Sequence, residues 1–287
     1  MSHARFAFPA LLGGGISIGF AGILVHISEV GPVASAFWRL ALALPFFLLI
    51  SLRLPKEAPP WQPHWRLIAA AGVFFALDLG IWHLSLSLTT IANATLLANC
   101  VPIFVTLASW LLWREPISRA FLVSLLITVS GAALLAGEHL AFHPARVPGD
   151  LLGIVAAVFY CGYLMTIQRA RQSLDASRLM LWSGAVSALV LLGFALIRQE
   201  VLFPTSLQGW WVLIGLALVP QVLGQTLIAY ALAHLPARLS SLGLLIQPVV
   251  SAAAAWILFG QALSPQQFIG AAVILLGVWL AKRQAES

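Results

Sequence analysis

Ten long apolar segments joined by short polar connections constrain the fold of this chain more than any other feature. A helix needs about 20 apolar residues to cross a bilayer, and each segment has roughly this length. A backbone inside a bilayer must satisfy its own hydrogen bonds, so such segments form helices. The sequence therefore predicts an all-α integral membrane protein with ten transmembrane helices. Helices 1 to 10 are expected at residues 6–27, 32–52, 67–88, 91–113, 118–137, 149–168, 176–197, 208–232, 236–259 and 264–281.

The composition excludes the soluble classes of protein. Of the 287 residues, 61% are hydrophobic and 8% are charged, whereas roughly a quarter of a soluble domain is charged. A soluble enzyme, a nucleic-acid-binding module and a disordered scaffold are therefore excluded. Cys100 and Cys161 both lie in apolar segments, so they predict neither a disulfide framework nor a metal site. The first segment is expected to be an uncleaved helix, because it is too long for a signal peptide.

The distribution of basic residues predicts the orientation in the membrane. Cytoplasmic loops of membrane proteins are enriched in Lys and Arg, and the net charge of +6 fits such an excess. With both termini in the cytoplasm, only Arg146 and Arg198 lie on the opposite side. We therefore expect a multi-pass protein of the cell inner membrane with both termini cytoplasmic. The basic residues on the cytoplasmic side are then Arg5, Arg53, Lys56, Arg66, Arg114, Arg119, Arg169, Arg171, Arg178, Arg238, Lys282 and Arg283.

The two halves of the sequence resemble each other at an offset of 146 residues. Five helices per half is an odd number, so the second half must enter the membrane upside down, as an inverted repeat. The repeats are expected at residues 1–142 and 143–287, in one compact membrane domain. The informative pairs are Pro102 with Pro248, Trp110 with Trp256, Ser118 with Ser264, and Gly131 with Gly277.

These features resemble the drug/metabolite transporter superfamily, EamA-type. The shared features are a Pro in the fourth helix of each half, a Glu/Gln-x-x-Ser turn after it, and Phe37-Trp38-Arg39 in helix 2. The resemblance implies a secondary transporter that exports small metabolites through a cavity enclosed by helices 1, 3, 4, 6, 8 and 9. The second half departs from this pattern, because Trp182 lies near the position of Trp38 and no Arg follows. Aromatic amino-acid exporters of the YddG type are one branch that the resemblance leaves open.

Arg39 and Asp78 are charged residues inside predicted helices, where a charge costs roughly 2.5–3.5 kcal/mol. Two interpretations are open. Either the two form a structural ion pair that joins helices 2 and 3, or Asp78 is a site for a proton or a substrate ammonium that Arg39 keeps ionised. His83 lies five residues after Asp78 and points about 140° away from it, so a narrow cavity cannot receive both.

Polar and aromatic side chains at helical spacing predict the walls of a cavity, because such faces are unfavourable against lipid. Bulky residues at Gly153 or Ala156 in helix 6 are expected to block this cavity, whereas Trp110 and Trp256 are expected to be buried structural residues. Small residues on helices 5 and 10 predict a packing face or a homodimer interface. The predicted substrate-binding residues are Asp78, Trp82, His83, Asn99, Tyr160, Tyr163, Gln225 and Gln247.

The sequence therefore predicts a transporter rather than an enzyme, a pump or a channel. It contains no ATP-binding loop of the G-x-x-x-x-G-K-[ST] type, and few charges line any helix. We expect export of a small amphipathic metabolite, an aromatic or branched amino acid, without a cofactor, a metal or a nucleic-acid partner. A transporter of nucleotide sugars, sugar phosphates or drugs is the alternative. An intramembrane enzyme using His64, His139 or His143 is a weaker alternative.

Overall fold

The computed structural model describes residues 3–53, 61–137 and 144–286. Within these residues there are ten helices long and apolar enough to cross a membrane, and no strand. The all-α fold with ten spans is thereby confirmed. The expected repeat boundary at residues 142 and 143 lies outside the described residues, as do Lys56, His139 and His143. The helices are helix 1 (Ala7–Gly19 and Ala21–His26), helix 2 (Pro32–Ala41 and Leu44–Arg53), helix 3 (Trp61–Leu88), helix 4 (Ile91–Ala98 and Val101–Trp113), helix 5 (Arg119–Ala136), helix 6 (Val147–Ala170), helix 7 (Ala176–Ile197), helix 8 (Leu207–Leu216, Ala217–Gln225 and Thr226–Leu232), helix 9 (Ala237–Gly243 and Ile246–Phe259) and helix 10 (Pro265–Glu286).

Helices 4 and 9 are interrupted at equivalent places, just before the repeated prolines. Proline lacks an N–H group, so Pro102 and Pro248 leave the carbonyl groups of Ala98 and Leu244 without their helical partners. The first segments of the two helices end at Ala98 and Gly243. Helix 8 responds differently to Pro220, which lies in a π-helical segment from Ala217 to Gln225. The interruptions bring backbone and polar side chains to the middle of the membrane domain.

The contacts between repeat mates confirm that the second half is inverted. Arg238, at the start of helix 9, forms a 3.0 Å ion pair with Glu115, which follows the end of helix 4. The end of one helix therefore lies beside the start of its mate. Ser118 and Ser264 both act at the start of the next helix, where their hydroxyl oxygens accept bonds from the backbone N–H groups of Phe121 and Gln267. The match between these two serines reflects a shared capping role.

Helices 5 and 10 use their small residues against each other within one chain. A Cβ on Gly131 would lie 3.0 Å from the carbonyl oxygen of Gly270, and Gly277 packs against Thr128 with no room for a side chain. Gln284 also donates a 3.0 Å hydrogen bond to Ser124. The homodimer expected through this face is not supported, because the face is already occupied inside the chain.

Trp110 and Trp256 are 53% and 45% exposed, so the expectation that they are buried is wrong. Repeat symmetry places both of them on the outer surface near the ends of helices 4 and 9, where the surrounding side chains are also apolar and exposed. An indole there is in contact with lipid in a membrane protein.

Candidate substrate cavity

A cavity of about 720 Å³ lies between the two halves of the chain. Its walls come from helices 1, 3, 4, 6, 8 and 9, as the family resemblance implies, and also from helix 2. Helix 2 contributes Pro32 and Arg39. The cavity is larger than a single amino-acid side chain needs and is within the range of small-molecule sites.

Arg39 is held at the inner end of this cavity by contacts to two other helices. Its Nε atom donates a 3.0 Å hydrogen bond to Oε1 of Gln221, from the π-helical segment of helix 8. Its guanidinium carbon lies 5.7 Å from the centre of the Phe75 ring, at cation–π distance. Arg39 is only 4% exposed, and in the described part of the chain Gln221 is its one hydrogen-bond partner. The terminal nitrogens are therefore available to a ligand.

Asp78 lines the same cavity but does not touch Arg39. The two residues are close enough to interact electrostatically. Among the described residues, however, the Asp78 carboxylate has no hydrogen bond and no ion pair. The direct contact of the expected structural pair is absent, because Arg39 is turned towards Gln221 and the ring of Phe75. A half-buried carboxylate without a partner is thus exposed to the cavity.

The two tyrosines of helix 6 occupy different positions relative to the cavity. Tyr160 lines it, whereas Tyr163 is 2% exposed and stands behind it, so the expected contact of Tyr163 with substrate is corrected. The Tyr163 hydroxyl donates a 3.2 Å hydrogen bond to Oε1 of Gln225, and its ring stacks on Phe75 with centroids 4.4 Å apart. The Tyr160 hydroxyl is buried without a hydrogen-bond partner, although the amides of Gln225 and Gln247 lie nearby. Tyr163 thus supports the wall that Tyr160 forms.

His83 and Trp82 line the outer part of the cavity on helix 3. The His83 Nδ1 atom lies 2.6 Å from the Pro32 carbonyl oxygen, which can only accept, so Nδ1 carries the proton. The Nε2 atom is buried without a partner among the described residues. Asp78 and His83 both line this cavity, which is wider than the narrow cavity that would have excluded one of them.

Helices 4 and 9 contribute amide and hydroxyl groups near their interruptions. Asn99 directly follows the first segment of helix 4, and its side-chain nitrogen donates a 2.8 Å hydrogen bond to the Thr95 carbonyl. Its side-chain oxygen is left for other partners. Gln247 and Ser251 lie on successive turns of helix 9 and also line the cavity. The Ser251 hydroxyl donates to the carbonyl of Gly19 in helix 1.

Two further expectations from the sequence need correction. Gly153 and Ala156 do not line the cavity. A Cβ on Gly153 would lie 3.0 Å from the Cβ of Leu97 and 3.4 Å from the hydroxyl of Ser85, and Ala156 is 0% exposed. Larger side chains there would disturb packing between helices 6, 3 and 4 rather than block a cavity. Helical spacing does not distinguish these two environments.

The cavity opens at one end of the membrane domain, here called the mouth. Ser28, in the connection between helices 1 and 2, and Gln261, after helix 9, both line it. These residues were not expected from the sequence, because connecting segments carry no periodic pattern. Towards the opposite end, here called the closed end, several helices carry fully buried apolar side chains. These residues are Leu11, Leu164, Ile167, Leu232 and Leu242, each at most 2% exposed.

Two glutamates hold the connections at the mouth. The Glu29 carboxylate accepts hydrogen bonds from the side chain and backbone of Ser206 and from Thr205, at the start of helix 8. The hydrogen bonds from Ser206, followed by those from Thr205, lower the pKa of Glu29 below its usual value. The hydrogen bonds that Glu29 accepts from Ser206 and Thr205 are therefore intact above the ordinary carboxyl pKa, and they weaken as the pH falls through the lowered pKa. Glu200 accepts a 2.9 Å bond from the backbone N–H of Ala34 in helix 2.

Comparison with known proteins identifies the family. Residues 5–137 and 147–283 each match the profile of the EamA-like transporter family. The chain belongs to this family. The two matches coincide with the two inverted halves, and they make it a multi-pass membrane transporter of the drug/metabolite transporter superfamily. Specificity of the YddG type stays a prediction.

Curated relatives and a solved structure agree with this assignment. The chain is 25% identical over 283 residues to a probable terminal-alkyne amino-acid exporter of Streptantibioticus cattleyicolor, covering 97% of this chain and 89% of the relative. It is 25% identical over 210 residues to the pseudopaline exporter CntI of Pseudomonas aeruginosa, and this match covers 73% of this chain and 72% of the relative. A crystal structure of a protein with 20% sequence identity aligns with a TM-score of 0.80, and the alignment covers 100% of this chain and 99% of the chain in that structure. That likeness supports the fold.

Proposed function

We propose that this protein is a secondary transporter that exports a small amphipathic metabolite, an amino acid with an aromatic or branched side chain, by alternating access. The observation that carries the proposal is that one cavity has Arg39, Asp78 and an aromatic side chain, Trp82, on its walls. Inverted repeats supply the pseudo-twofold symmetry that alternating access uses, with substrate bound between the repeats. Two relatives are named as exporters, which agrees with the direction of transport.

The lining of the cavity favours an amino acid over a phosphorylated sugar. In the described part of the chain, Arg39 is the one Lys or Arg residue that lines the cavity. A single guanidinium suits one carboxylate, whereas a phosphate ester needs a second cation or several convergent donors. Tyr160, Phe75 and Trp82 add aromatic surface on which an apolar side chain can pack. Asn99, Gln225 and Gln247 supply neutral hydrogen-bonding groups.

In the orientation that the Lys and Arg distribution predicts, the mouth lies on the external side. Helices 1 and 9 then both run from the cytoplasm to the exterior. Ser28 and Gln261, which follow these two helices, therefore lie on the external side. The closed end, with Leu164 and Leu232, faces the cytoplasm. We propose that the structure is the outward-open state of the transport cycle.

Topology mapping tests this orientation. Reporter fusions placed after Arg119 are expected to be cytoplasmic, and fusions after Ser264 are expected to be external, because the two turns are inverted repeat mates. The measurement is the activity ratio of a reporter active only in the cytoplasm to one active only outside. Equal ratios at both sites would contradict the orientation, and a reversed pair would place the mouth on the cytoplasmic side.

An ion pair between the end of helix 4 and the start of helix 9 lies at the cytoplasmic end, and its repeat counterpart at the external end is uncharged. Arg238 contacts Glu115 at 3.0 Å, donates to the Pro116 carbonyl at 3.0 Å and lies over the ring of Phe121. The corresponding residues of the other repeat, Ala92 for Arg238 and Gln261 for Glu115, carry no charge. Because the counterpart in the other repeat is uncharged, the Arg238–Glu115 pair stabilises closure at the cytoplasmic end without an equivalent pair opposing it, and hence favours the outward-open state.

Glu115→Gln is expected to raise the population of the inward-open state by a factor of about 1.4 to 5, since a half-exposed ion pair contributes roughly 0.2–1 kcal/mol. The measurement is the distance distribution between spin labels on Arg119→Cys and His234→Cys, in a background without the native cysteines. Arg198→Gln, which breaks the Arg198–Glu200 pair at the mouth, is the matched control and is expected to leave this distribution unchanged. An unaltered distribution in Glu115→Gln would remove the gating role of the pair.

Uptake into proteoliposomes tests the function directly. Labelled phenylalanine or leucine is expected to enter liposomes that contain the protein and not protein-free liposomes. Uptake is measured both with and without an imposed pH gradient, and a difference between the two reveals proton coupling. Gly22→Trp is expected to lower this uptake at least tenfold with an unchanged melting temperature, because Gly22 lines the cavity and a Cβ there meets nothing within 4 Å. Gly193→Trp, at another open position, is the matched control. Exchange of sugar phosphates or nucleotide sugars without amino-acid flux would move the assignment to that branch, and hydrolysis of any substrate would overturn it.

A further inference from the structure

We infer that the cavity binds an amino acid as a zwitterion divided between two helices, with the carboxylate at Arg39 of helix 2 and the ammonium at Asp78 of helix 3. The inference rests on the proposed function and deepens it by naming the groups that recognise the substrate. It also assigns to Gln221, which lies in the π-helical segment of helix 8, the role of a positioning residue for Arg39.

The geometry of Arg39 fits a carboxylate ligand. Its Nε atom is used by Gln221 and one face of its guanidinium is covered by Phe75, at 5.7 Å from the ring centre. The edge formed by the two terminal nitrogens therefore remains, and a carboxylate can accept two parallel hydrogen bonds from that edge. A buried guanidinium with donors unused is unfavourable until a ligand arrives, because each unpaired donor costs free energy. Binding a carboxylate removes that cost.

Gln221 fixes which edge of Arg39 faces the cavity. It is 1% exposed and accepts the Nε hydrogen bond through Oε1. A π-helical turn shifts the side chains after it relative to an α-helix, and such turns occur frequently at functional sites. In this segment Gln221 contacts Arg39, while Gln225, at its end, accepts from Tyr163 and lines the cavity. Helix 8 thus orients both the cation and the aromatic wall.

The surroundings of Asp78 fit an ammonium ligand. Its carboxylate lines the cavity and, among the described residues, has no hydrogen-bond donor and no cation in contact. A carboxylate at this depth requires a counter-charge, and Arg39 supplies one only at a distance. An ammonium group donates three hydrogen bonds and neutralises the carboxylate directly. The tyrosine and amide groups of the opposite wall can complete its contacts.

The separation of the two charges is what makes the site selective for a zwitterion. If Arg39 and Asp78 were in contact, each would satisfy the other, and an incoming substrate would have to break the pair. Here neither charge has a counter-ion in contact, although the two lie close enough to interact. A zwitterion therefore gains from both, because its carboxylate pairs with Arg39 and its ammonium pairs with Asp78. A molecule with only one charge leaves the other protein charge buried without a partner, which is strongly unfavourable.

Substrate analogues test the assignment in the full-length protein in liposomes. The probes are phenylalanine, phenylalaninamide, which lacks the carboxylate, and 3-phenylpropionate, which lacks the ammonium. The wild-type protein is expected to prefer phenylalanine at least tenfold over either analogue, measured by competition with labelled phenylalanine. In Asp78→Asn the preference over 3-phenylpropionate should fall below threefold, while the preference over phenylalaninamide persists. In Gln221→Glu the reverse is expected, because the new carboxylate bonds to Arg39 and competes with that of the substrate.

The pattern across the three probes separates recognition from a structural role. A merely structural change would weaken all three ligands by the same factor, and equal factors in both variants would overturn the assignment while leaving the transporter intact. If a variant no longer transports, ligand-induced thermal stabilisation with the same three probes gives the same ratios without transport. Failure of the wild-type protein to transport or bind phenylalanine and leucine would instead overturn the proposed function, and this inference with it.

Discussion

Asp78→Asn is expected to lower amino-acid uptake at least tenfold while the melting temperature shifts by only a few degrees. The carboxylate makes no hydrogen bond or ion pair among the described residues, so its removal breaks no structural contact and relieves the cost of a charge at bilayer depth. The substrate, by contrast, loses a charge-assisted bond of roughly 1.5–3 kcal/mol. A tenfold effect corresponds to about 1.4 kcal/mol. Uptake in proteoliposomes and thermal unfolding in detergent measure the two quantities.

Asp150→Asn is the matched control for this prediction. The Asp150 carboxylate accepts hydrogen bonds from Thr89 at 2.6 Å and from Asn93 at 3.1 Å, and it lies outside the cavity. Its substitution is expected to lower the melting temperature and leave the transport rate per folded molecule unchanged. If Asp78→Asn lost stability as Asp150→Asn does, the Asp78 carboxylate would be structural. Full transport by Asp78→Asn would remove it from the substrate site.

Gly270→Leu is expected to cause the largest loss of stability of any variant considered. A Cβ on Gly270 would lie 2.8 Å from the Gly131 carbonyl oxygen and closer still to the backbone nitrogen of Leu135. These are backbone atoms, so the clash is relieved only by separating helices 5 and 10. Overpacking costs typically 1–3 kcal/mol and more where backbone must move, so we expect a fall of about 10 °C in melting temperature or loss of folded protein. Thermal unfolding monitored by size-exclusion chromatography measures this.

Gly193→Leu provides the comparison at a glycine without close neighbours. A Cβ there would meet no atom within 4 Å, and leucine has a better helix propensity than glycine by up to about 1 kcal/mol. The melting temperature is therefore expected to stay the same or rise slightly. Equal melting temperatures for the two variants would contradict the close packing of helices 5 and 10 at Gly270. That result would also reopen the question of a dimer formed by these helices.

The sequence predicted several of the cavity residues because the membrane makes polar side chains expensive against lipid. Asp78, Asn99 and Gln247 had few favourable places other than a shared interior space, and the structure places each of them at the wall of the cavity. Tyr163 followed the same helical spacing as Tyr160 but lies against Phe75 and Gln225 instead. Spacing along one helix predicts the side of the helix on which a side chain lies. It does not predict whether that side faces a cavity or packs against another helix.

Contacts that depend on distant parts of the chain could not be predicted from local pattern. Arg39 and Gln221 are 182 positions apart, and their hydrogen bond decides which part of the guanidinium is free. The sequence suggested Asp78 as the partner of Arg39 because opposite charges at similar depth attract. In the structure Arg39 contacts the side-chain amide of Gln221, and the Asp78 carboxylate lies farther away. Both charges are therefore available to a ligand.

The sequence by itself determined the ten helices and the inverted repeat, and its repeated prolines account for the breaks in helices 4 and 9, which it predicts as continuous segments. These follow from properties of short segments: apolar length against bilayer thickness, the odd number of helices per half, and the missing N–H groups of Pro102 and Pro248. Only the tertiary structure decided that small residues of helices 5 and 10 pack within the chain, that the cavity opens at one end, and that Arg39 turns to Gln221. Those outcomes depend on how ten helices fill space together, because each helix has several polar or small faces and the packing of all of them selects which face meets a cavity, a neighbour or lipid.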